Sequence, residues 1–325
     1  MRLATESEIA RWDELVAANP DGGRPAQTRA WGELKSRWGW QPRRYIYELM
    51  SGKPVAAQWL VRRLPLTGEF WYCPAGPGVV SFGDLRQVVE QTRIGVPGAA
   101  WLRLEPMMPV EGVPATDLTG MGIVKSERDV EAKSELFLRL SDYDFPDKAA
   151  KIGLMVAPVA VNDETAATVY ELMRAAAAPP PPVKVPGVAT SSVTVASARP
   201  GGALRPPEYY RDLWKTTGRG GRGQLFLVRF GGETVGGAFV STAGRRAWSR
   251  EFALADVASK KRIDLLVHCE IMRWLQKRGV AEYALPLELG ADFGLKPTVT
   301  IGAWDLPVVK WKYMIWRWTG EWLLR

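Results

Sequence analysis

The sequence has one histidine and two cysteines, and this shortage limits the chemistry that the chain can perform. Cys73 and Cys269 lie far apart and form no CxxC pair, so we expect neither a zinc site nor a disulfide framework. His268 lies within an apolar helical pattern, where its neighbour Cys269 points to a different face. We therefore expect no nucleophile–histidine pair, no metal and no bound cofactor.

Long apolar runs are also missing. No stretch of about 18 apolar residues occurs, and residues 1–9 are charged and lack the apolar core of a secretory signal. We therefore expect a cytoplasmic monomer with no transmembrane segment, in which any contact with a membrane is peripheral.

Acidic residues are fewer than basic ones, with 35 Asp and Glu against 43 Lys and Arg and a net charge of +8. This balance favours polyanionic partners, whether nucleic acid, phosphorylated metabolites or an acidic membrane surface, and does not choose among them. The 15 tryptophans are expected mainly in cores and interfaces. The length of 325 residues predicts about two domains.

The same order of elements occurs twice, at an offset of roughly 180 residues. Residues 45–57 match residues 226–238 in pattern, and each stretch is followed by a strand, a helix and one more strand.

The first copy predicts strands over 44–50, 55–63 and 69–73, a helix over 83–92 and a strand over 99–105. The second predicts strands over 225–230, 234–241 and 246–253, a helix over 264–277 and a strand over 281–287. Helices over 6–18 and 28–38 and a strand over 136–140 are also predicted. We interpret the pattern as a duplicated α/β unit with mixed sheets; chance recurrence of a hairpin pattern is the alternative.

Residues 175–207 separate the two copies and contain an alanine run, four consecutive prolines and further Pro, Gly and Ser. A proline run cannot continue a helix and favours an extended chain. The segment is therefore predicted to be a linker or surface loop, with a mobile lid over a site as the alternative.

Four short segments carry a family resemblance. They are Gln-Thr-Arg-Ala-Trp-Gly-Glu-Leu-Lys at 27–35, Tyr-Cys-Pro-Ala-Gly-Pro at 72–77, Leu-Arg-Leu-Glu-Pro at 102–106 and Arg-Pro-Pro-Glu-Tyr-Tyr at 205–210. In this order and spacing they resemble the FemABX family, whose members build peptide branches of peptidoglycan from charged transfer RNAs.

The resemblance implies two tandem GNAT-like acyltransferase domains without a coiled-coil arm. Residues 1–145 would form the first domain, with 307–325 packing back on it. Residues 146–306 would form the second domain and contain the loop 175–207.

The resemblance also implies an aminoacyltransferase. Its partners would be a charged tRNA and a peptide-bearing amine acceptor, either a peptidoglycan precursor or a peptide or nucleoside antibiotic intermediate. An aminoacyl ester is already activated, so no covalent enzyme intermediate is needed. The alternatives are an acyl-CoA-dependent GNAT N-acyltransferase and a non-catalytic RNA-binding protein. Neither 82–86 nor 255–262 offers the Gly-rich loop that would hold a CoA pyrophosphate.

The candidate substrate-binding residues are Lys35, Arg205 and Tyr209. By resemblance, Lys35 would bind a phosphate of the acceptor. Arg205 and Tyr209 are four residues apart and would share one helical face, from which arginine can hold a phosphate or carboxylate with two hydrogen bonds. The alternatives are a solvated lysine, and a capping or salt-bridge role for Arg205.

The candidate catalytic residues are Glu105 and Lys296. Glu105 ends a strand and would accept a proton or orient the amine, although a structural turn carboxylate fits the pattern equally well. Lys296 would stabilise the oxyanion or the terminal phosphate of the RNA. Basic residues in three clusters could contact tRNA, with ordinary solubility charge as the alternative; the clusters are Lys215, Arg219 and Arg222, then Arg245 and Arg246, then Lys260, Lys261 and Arg262. The candidate tRNA-binding residues are Lys215, Arg219, Arg222, Lys260 and Lys261.

Overall fold

The computed structural model describes residues 1–65, 67–96, 98–111, 113–127, 129–145, 148–177, 204–255 and 263–319. Most of the predicted loop 175–207 lies outside these residues, as do Lys260 and Lys261. Within the described part of the chain, no helix has the length and apolar character needed to cross a membrane.

The chain forms two compact units. The first comprises Met1–Leu136 and Gly290–Arg325, and the second comprises Phe137–Leu289. The boundaries differ from the predicted ones: the first unit ends at Leu136 rather than at residue 145, and residues 290–306 belong to the first unit rather than to the second. The chain therefore leaves the first unit once and returns to it.

The strands, numbered in chain order, are β1 Arg2–Leu3, β2 Gln41–Tyr47, β3 Val55–Leu64, β4 Gly68–Cys73, β5 Ala99–Leu104, β6 Val124–Lys125, β7 Ser134–Glu135, β8 Phe137–Arg139, β9 Leu154–Val159, β10 Gly223–Phe230, β11 Glu233–Ala243, β12 Arg246–Leu254, β13 Glu282–Ala284, β14 Thr298–Val299 and β15 Trp304–Pro307. The α-helices are α1 Glu6–Ala10, α2 Trp12–Ala17, α3 Arg29–Arg37, α4 Phe82–Gly95, α5 Ala115–Gly120, α6 Asp163–Ala177, α7 Pro207–Arg219, α8 Ile263–Gln276 and α9 Lys310–Thr319.

The main sheet of the first unit has the order β1-β2-β3-β4-β5-β15-β6. Strands β2 to β4 are antiparallel, β4 and β5 are parallel, and α4 connects that parallel pair. Alternation along β4 gives the sheet two apolar faces. Trp71 packs with Leu85 and Val88 of α4 on one face, and Phe70 packs with Trp316 of α9 on the other.

The sheet of the second unit has the order β8-β13-β12-β11-β10-β9. Strands β9 to β12 are antiparallel, β12 and β13 are parallel, and α8 connects them. The rings of Trp274 on α8 and Phe226 on β10 meet at 5.1 Å. On the opposite face, Trp214 of α7 packs on Phe239 of β11, with ring centroids 6.0 Å apart.

The two units share one pattern: a hairpin, a third antiparallel strand, a helix and a parallel strand. This agreement confirms the prediction of a duplicated α/β unit with mixed sheets. In each sheet, a further antiparallel strand lies beside the parallel pair, β15 beside β5 and β8 beside β13.

Candidate functional site

The parallel strands β12 and β13 of the second sheet are paired over only part of the length of β12. Strand β12 pairs with β13 only from Arg246 to Trp248, whereas it pairs with β11 over its whole length. Among the described strands, residues 249–254 of β12 therefore bond only to β11. On the side of β13 these residues pair with no described strand, and we refer to this unpaired edge as the opening; an extended ligand can pair with such an edge.

Glu251 lies on β12 beside this opening. A β-bulge makes Arg250 an extra residue, because Ser249 pairs with Val240 and Glu251 pairs with Phe239. Burial raises the pKa of Glu251 to about 7, against the opposing charge of Arg250. A carboxyl group with this pKa can accept and release a proton near neutral pH.

The parallel pair of the first sheet stays closed. Strand β4 pairs with β5 from Glu69 to Cys73, which is nearly its whole length. The two sheets therefore differ at the equivalent position, and in the described residues only the second has the opening.

Tyr72 and Glu105 form a buried pair at the carboxyl ends of β4 and β5. The Tyr72 hydroxyl donates to Oε2 of Glu105 at 2.5 Å, and the backbone N–H groups of Val130 and Glu131 donate to Oε1 at 2.7 and 2.8 Å. Glu105 is 1% exposed. Burial raises its pKa to about 7, although the hydrogen bonds from Tyr72 and Val130 act to lower it.

The three donors leave the Glu105 carboxylate little free hydrogen-bonding capacity. Its oxygens hold the 130–131 segment and fix the position of the Tyr72 hydroxyl. This geometry favours an orienting role for Glu105 through Tyr72 over direct contact with an acceptor.

A buried ion pair lies on the same sheet face. Arg103 of β5 donates two hydrogen bonds to Asp305 of β15, at 2.7 and 3.0 Å, and the Tyr313 hydroxyl donates to Asp305 at 3.1 Å. Both charged groups are almost fully buried. A paired, fully hydrogen-bonded arrangement of this kind fixes strand β15 and helix α9 against β5.

Gln27, the first residue of the first motif, is a buried structural residue. Its side-chain amide donates to the carbonyl oxygen of Pro74 at 2.6 Å and accepts from the Gln58 backbone N–H at 2.7 Å. The carbonyl of Gly76 in turn accepts from the backbone N–H of Glu105 at 2.8 Å. Three of the four motifs thus contact one another, and they build the loop that follows β4.

Lys35 and Glu105 lie on the same face of the first sheet. The Lys35 ammonium is 4.8 Å from the centre of the Trp31 ring. Trp31 packs against the cluster that contains Tyr72.

Lys296 is an exposed residue of the first unit and lies in the segment before β14.

Arg205 and Tyr209 lie together in the second unit. Helix α7 begins at Pro207, directly after Pro206, and the Arg205 guanidinium stacks 4.5 Å from the centre of the Tyr209 ring. Ring contacts continue from Tyr209 through Tyr210 and Trp214 to Phe239, the cross-strand neighbour of Glu251. The predicted Arg205–Tyr209 pair therefore shares a face of the second sheet with Glu251.

The candidate tRNA contacts of the second unit have different surroundings. Lys215 forms an ion pair with Asp163 at 2.7 Å. Arg219 is exposed at the end of α7, and Arg222 is half-buried in the turn before β10. Lys260 and Lys261 lie outside the described residues.

Sequence reasoning missed Glu251 and did not include Tyr72 among the site residues. Tyr72 is the first residue of the motif at 72–77, so the sequence could have indicated it as a site residue. No sequence pattern marks Glu251, because the bulge that redirects its side chain depends on pairing with β11.

His268 is buried, with its Nδ1 2.7 Å from the Tyr283 hydroxyl, and burial lowers its pKa to about 4.

Comparison with known proteins agrees with this architecture. Residues 147–296 match the family model described as an acetyltransferase (GNAT) domain. No curated protein sequence matches the chain. The crystal structure of FemX is similar at a TM-score of 0.72 and 16% identity, covering 97% of this chain and 99% of that one. A tandem GNAT protein from the clavulanic acid biosynthesis pathway is similar at a TM-score of 0.52 and 15% identity, covering 94% and 97%. The chain therefore has a FemABX-like, acyltransferase-type fold of two tandem GNAT domains.

Proposed function

We propose that this protein is an aminoacyltransferase, which joins the amino acid of a charged tRNA to an amine of a peptide-bearing acceptor. The opening between β12 and β13 beside Glu251 carries the proposal, because an acyl donor can enter there and meet a group that takes up a proton. Similarity to FemX over 97% of the chain adds support at the level of the fold.

The proposed step is aminolysis of an ester. The acceptor amine attacks the ester carbonyl carbon, a C–N bond forms, and a proton passes from the amine to Glu251. The ester C–O bond then breaks, and the ribose hydroxyl of the tRNA leaves with that proton. Backbone N–H groups on the free side of β12 would stabilise the oxyanion, worth about 3 kcal/mol for a well-placed donor.

Each unit, taken by itself, offers groups that would bind a substrate. In the second unit, Arg205 and Tyr209 would hold a phosphate or carboxylate. In the first unit, Lys35 would bind a phosphate. Tyr72, fixed by Glu105, would orient a polar group of the acceptor. Lys296 would contact the RNA phosphate or the oxyanion.

The remaining cations would bind the tRNA backbone; they are Lys215, Arg219, Arg222, Lys260 and Lys261. Use of charged tRNA would place the protein in the cytoplasm, where we propose that it acts as a monomer.

An acyl-CoA-dependent acyltransferase is the second candidate. The match of residues 147–296 to an acetyltransferase model favours it. In the first unit, however, the helix after β4 is a poor pyrophosphate site. Its N-terminus is capped by Ser81 and has Asp84 in the first turn, so the end that would attract an anion already holds a carboxylate.

Transfer assays distinguish the candidates. The protein is incubated with separately charged, radiolabelled aminoacyl-tRNAs or acyl-CoAs and with candidate amine acceptors. We expect label transfer from aminoacyl-tRNA and a loss of about a hundredfold in rate for Glu251→Gln. Glu233→Gln, an exposed carboxylate of the same sheet, is the matched control. Transfer from acyl-CoA alone would refute the proposal. Binding of tRNA without any transfer would instead indicate a non-catalytic RNA-binding protein.

A further inference from the structure

Helix α9 has an apolar stripe on its outer face. Its inner face packs on the first sheet through Tyr313 and Trp316, and the Trp316 ring lies 4.9 Å from that of Trp101. Trp311, Met314 and Trp318 are 59%, 58% and 93% exposed. They follow one another at spacings of three and four residues, so they form one row on the helix surface.

This row is unusual for a protein surface. Single exposed apolar side chains are common, but a contiguous group of two tryptophans and a methionine indicates an interaction surface. The helix is long enough to present the group together, since the row spans about 10 Å along the axis.

Cations flank the row. Lys310 is exposed, and the Lys312 ammonium lies 5.6 Å from the centre of the Trp311 ring. Arg317 pairs with Glu127 at 2.7 Å through exposed groups, a pairing that solvent can exchange. The helix itself contains no acidic residue. Tryptophan on one side and lysine or arginine around it is the composition of helices that lie in the surface of anionic bilayers.

We propose that the outer face of α9 binds the surface of an anionic lipid bilayer. Trp311, Met314 and Trp318 insert between the headgroups, and Lys310 and Lys312 lie against lipid phosphates. RNA is the competing polyanion, because bases stack on tryptophan. The row favours lipid, since Met314 lies between the tryptophans and offers no ring for stacking, whereas an apolar phase accepts all three side chains. The inference does not depend on the transferase activity.

Vesicle sedimentation tests the proposal. The full chain is mixed with vesicles of phosphatidylcholine alone, or of phosphatidylcholine and phosphatidylglycerol in equal parts, and the bound fraction is measured against lipid concentration. We expect binding to the anionic vesicles that weakens with added salt. The double variant Trp311→Ser, Trp318→Ser should lower the partition constant about tenfold or more.

Matched variants distinguish binding through α9 from nonspecific hydrophobic or electrostatic adsorption to the vesicles. Ile94→Ser removes a side chain that is 84% exposed on α4 and should leave binding unchanged. Lys310→Gln with Lys312→Gln should weaken binding to anionic vesicles by about tenfold, while Lys53→Gln, an exposed lysine of a turn, should not.

Three results would overturn the proposal. The first is absence of binding by the wild-type chain, or equal binding by the double tryptophan variant with its urea unfolding curve unchanged. The second is binding that arises only after removal of residues 320–325, which would make that segment the occupant. The third is loss of tRNA binding in the double variant with vesicle binding intact, which would assign the row to RNA.

Discussion

The hydroxyl of Tyr72 donates a 2.5 Å hydrogen bond to the carboxylate of Glu105, and both side chains are buried where β4 and β5 end. The bond orders two side chains that come from separate motifs of the sequence. The bond also limits the rise in the pKa of Glu105, because a donor to the carboxylate favours its charged form and so opposes the effect of burial.

Replacement of Tyr72 by phenylalanine should change the pH dependence of transfer. Without the hydroxyl, Glu105 loses the group through which it orients the acceptor, so its ionisation near pH 7 should no longer contribute to the pH profile. The rate at neutral pH should fall by about tenfold, and stability by about 1–3 kcal/mol. The pH profile of kcat and urea unfolding measure the two effects.

Tyr47→Phe is the control for this change. The Tyr47 hydroxyl is also buried, bonded to Thr92 and Trp59, and Tyr47 packs on the opposite face of the sheet. Its loss should cost comparable stability and leave the pH profile in place. An unchanged profile in Tyr72→Phe would show that Glu105 has only a structural role.

The sequence predicted the parts of the fold that depend on local pattern. The hairpins β2–β3 and β10–β11 and the helices α4 and α8 have clear alternation or helical periodicity, and they form within a few residues of the predicted bounds. Strand β15 was not predicted, because it is four residues long and contains Asp305. The burial of Asp305 depends on Arg103, 202 residues earlier in the chain.

Asp305→Asn should destabilise the first unit strongly. The change leaves the buried Arg103 guanidinium without its counter-charge, which costs about 3–5 kcal/mol in typical buried pairs. The measurement is the free energy of urea unfolding. Glu90→Gln breaks the exposed Arg86–Glu90 pair of α4 and should cost less than about 1 kcal/mol. Equal stabilities for the two variants would contradict the role given to the buried pair.

The site was predictable where a motif marks it and not where tertiary pairing creates it. Glu105, Arg205 and Tyr209 lie in recognisable segments. Without the bulge, Ser249 and Glu251 would share a face of β12, as alternation requires. The extra residue Arg250 places them on opposite faces, and only the register with β11 reveals this.

Glu251→Gln should change how stability depends on pH. Glu251 has a pKa of about 7 when folded and an ordinary value of 4.5, so the folded chain keeps a proton that the unfolded chain releases between these values. Its stabilising contribution is complete below pH 4.5 and is lost as the pH rises through 7. In the variant, the slope of unfolding free energy against pH should therefore become more positive, by about 1.4 kcal/mol per pH unit near the middle of the window.

His268→Gln provides a comparison of opposite sign in the same unit. The pKa of His268 is lowered to about 4 from 6.5, so the unfolded chain binds the extra proton and stability rises with pH between these values. Removal of the imidazole should make the slope more negative over that range. Urea unfolding at a series of pH values measures both slopes, and parallel curves for wild type and Glu251→Gln would rule out the buried, protonated carboxyl group.

Arg205→Lys should weaken acceptor binding while leaving the chemical step nearly unchanged. Lysine retains the charge but cannot stack a planar guanidinium on Tyr209 or hold a phosphate or carboxylate with two parallel hydrogen bonds. We expect the KM for the acceptor to rise about tenfold, with kcat changed less than about twofold. Arg211→Lys, an exposed arginine of the same helix, should change neither constant. If Arg205→Lys lowered stability and left KM unaltered, Arg205 would be a structural residue that fixes the start of α7.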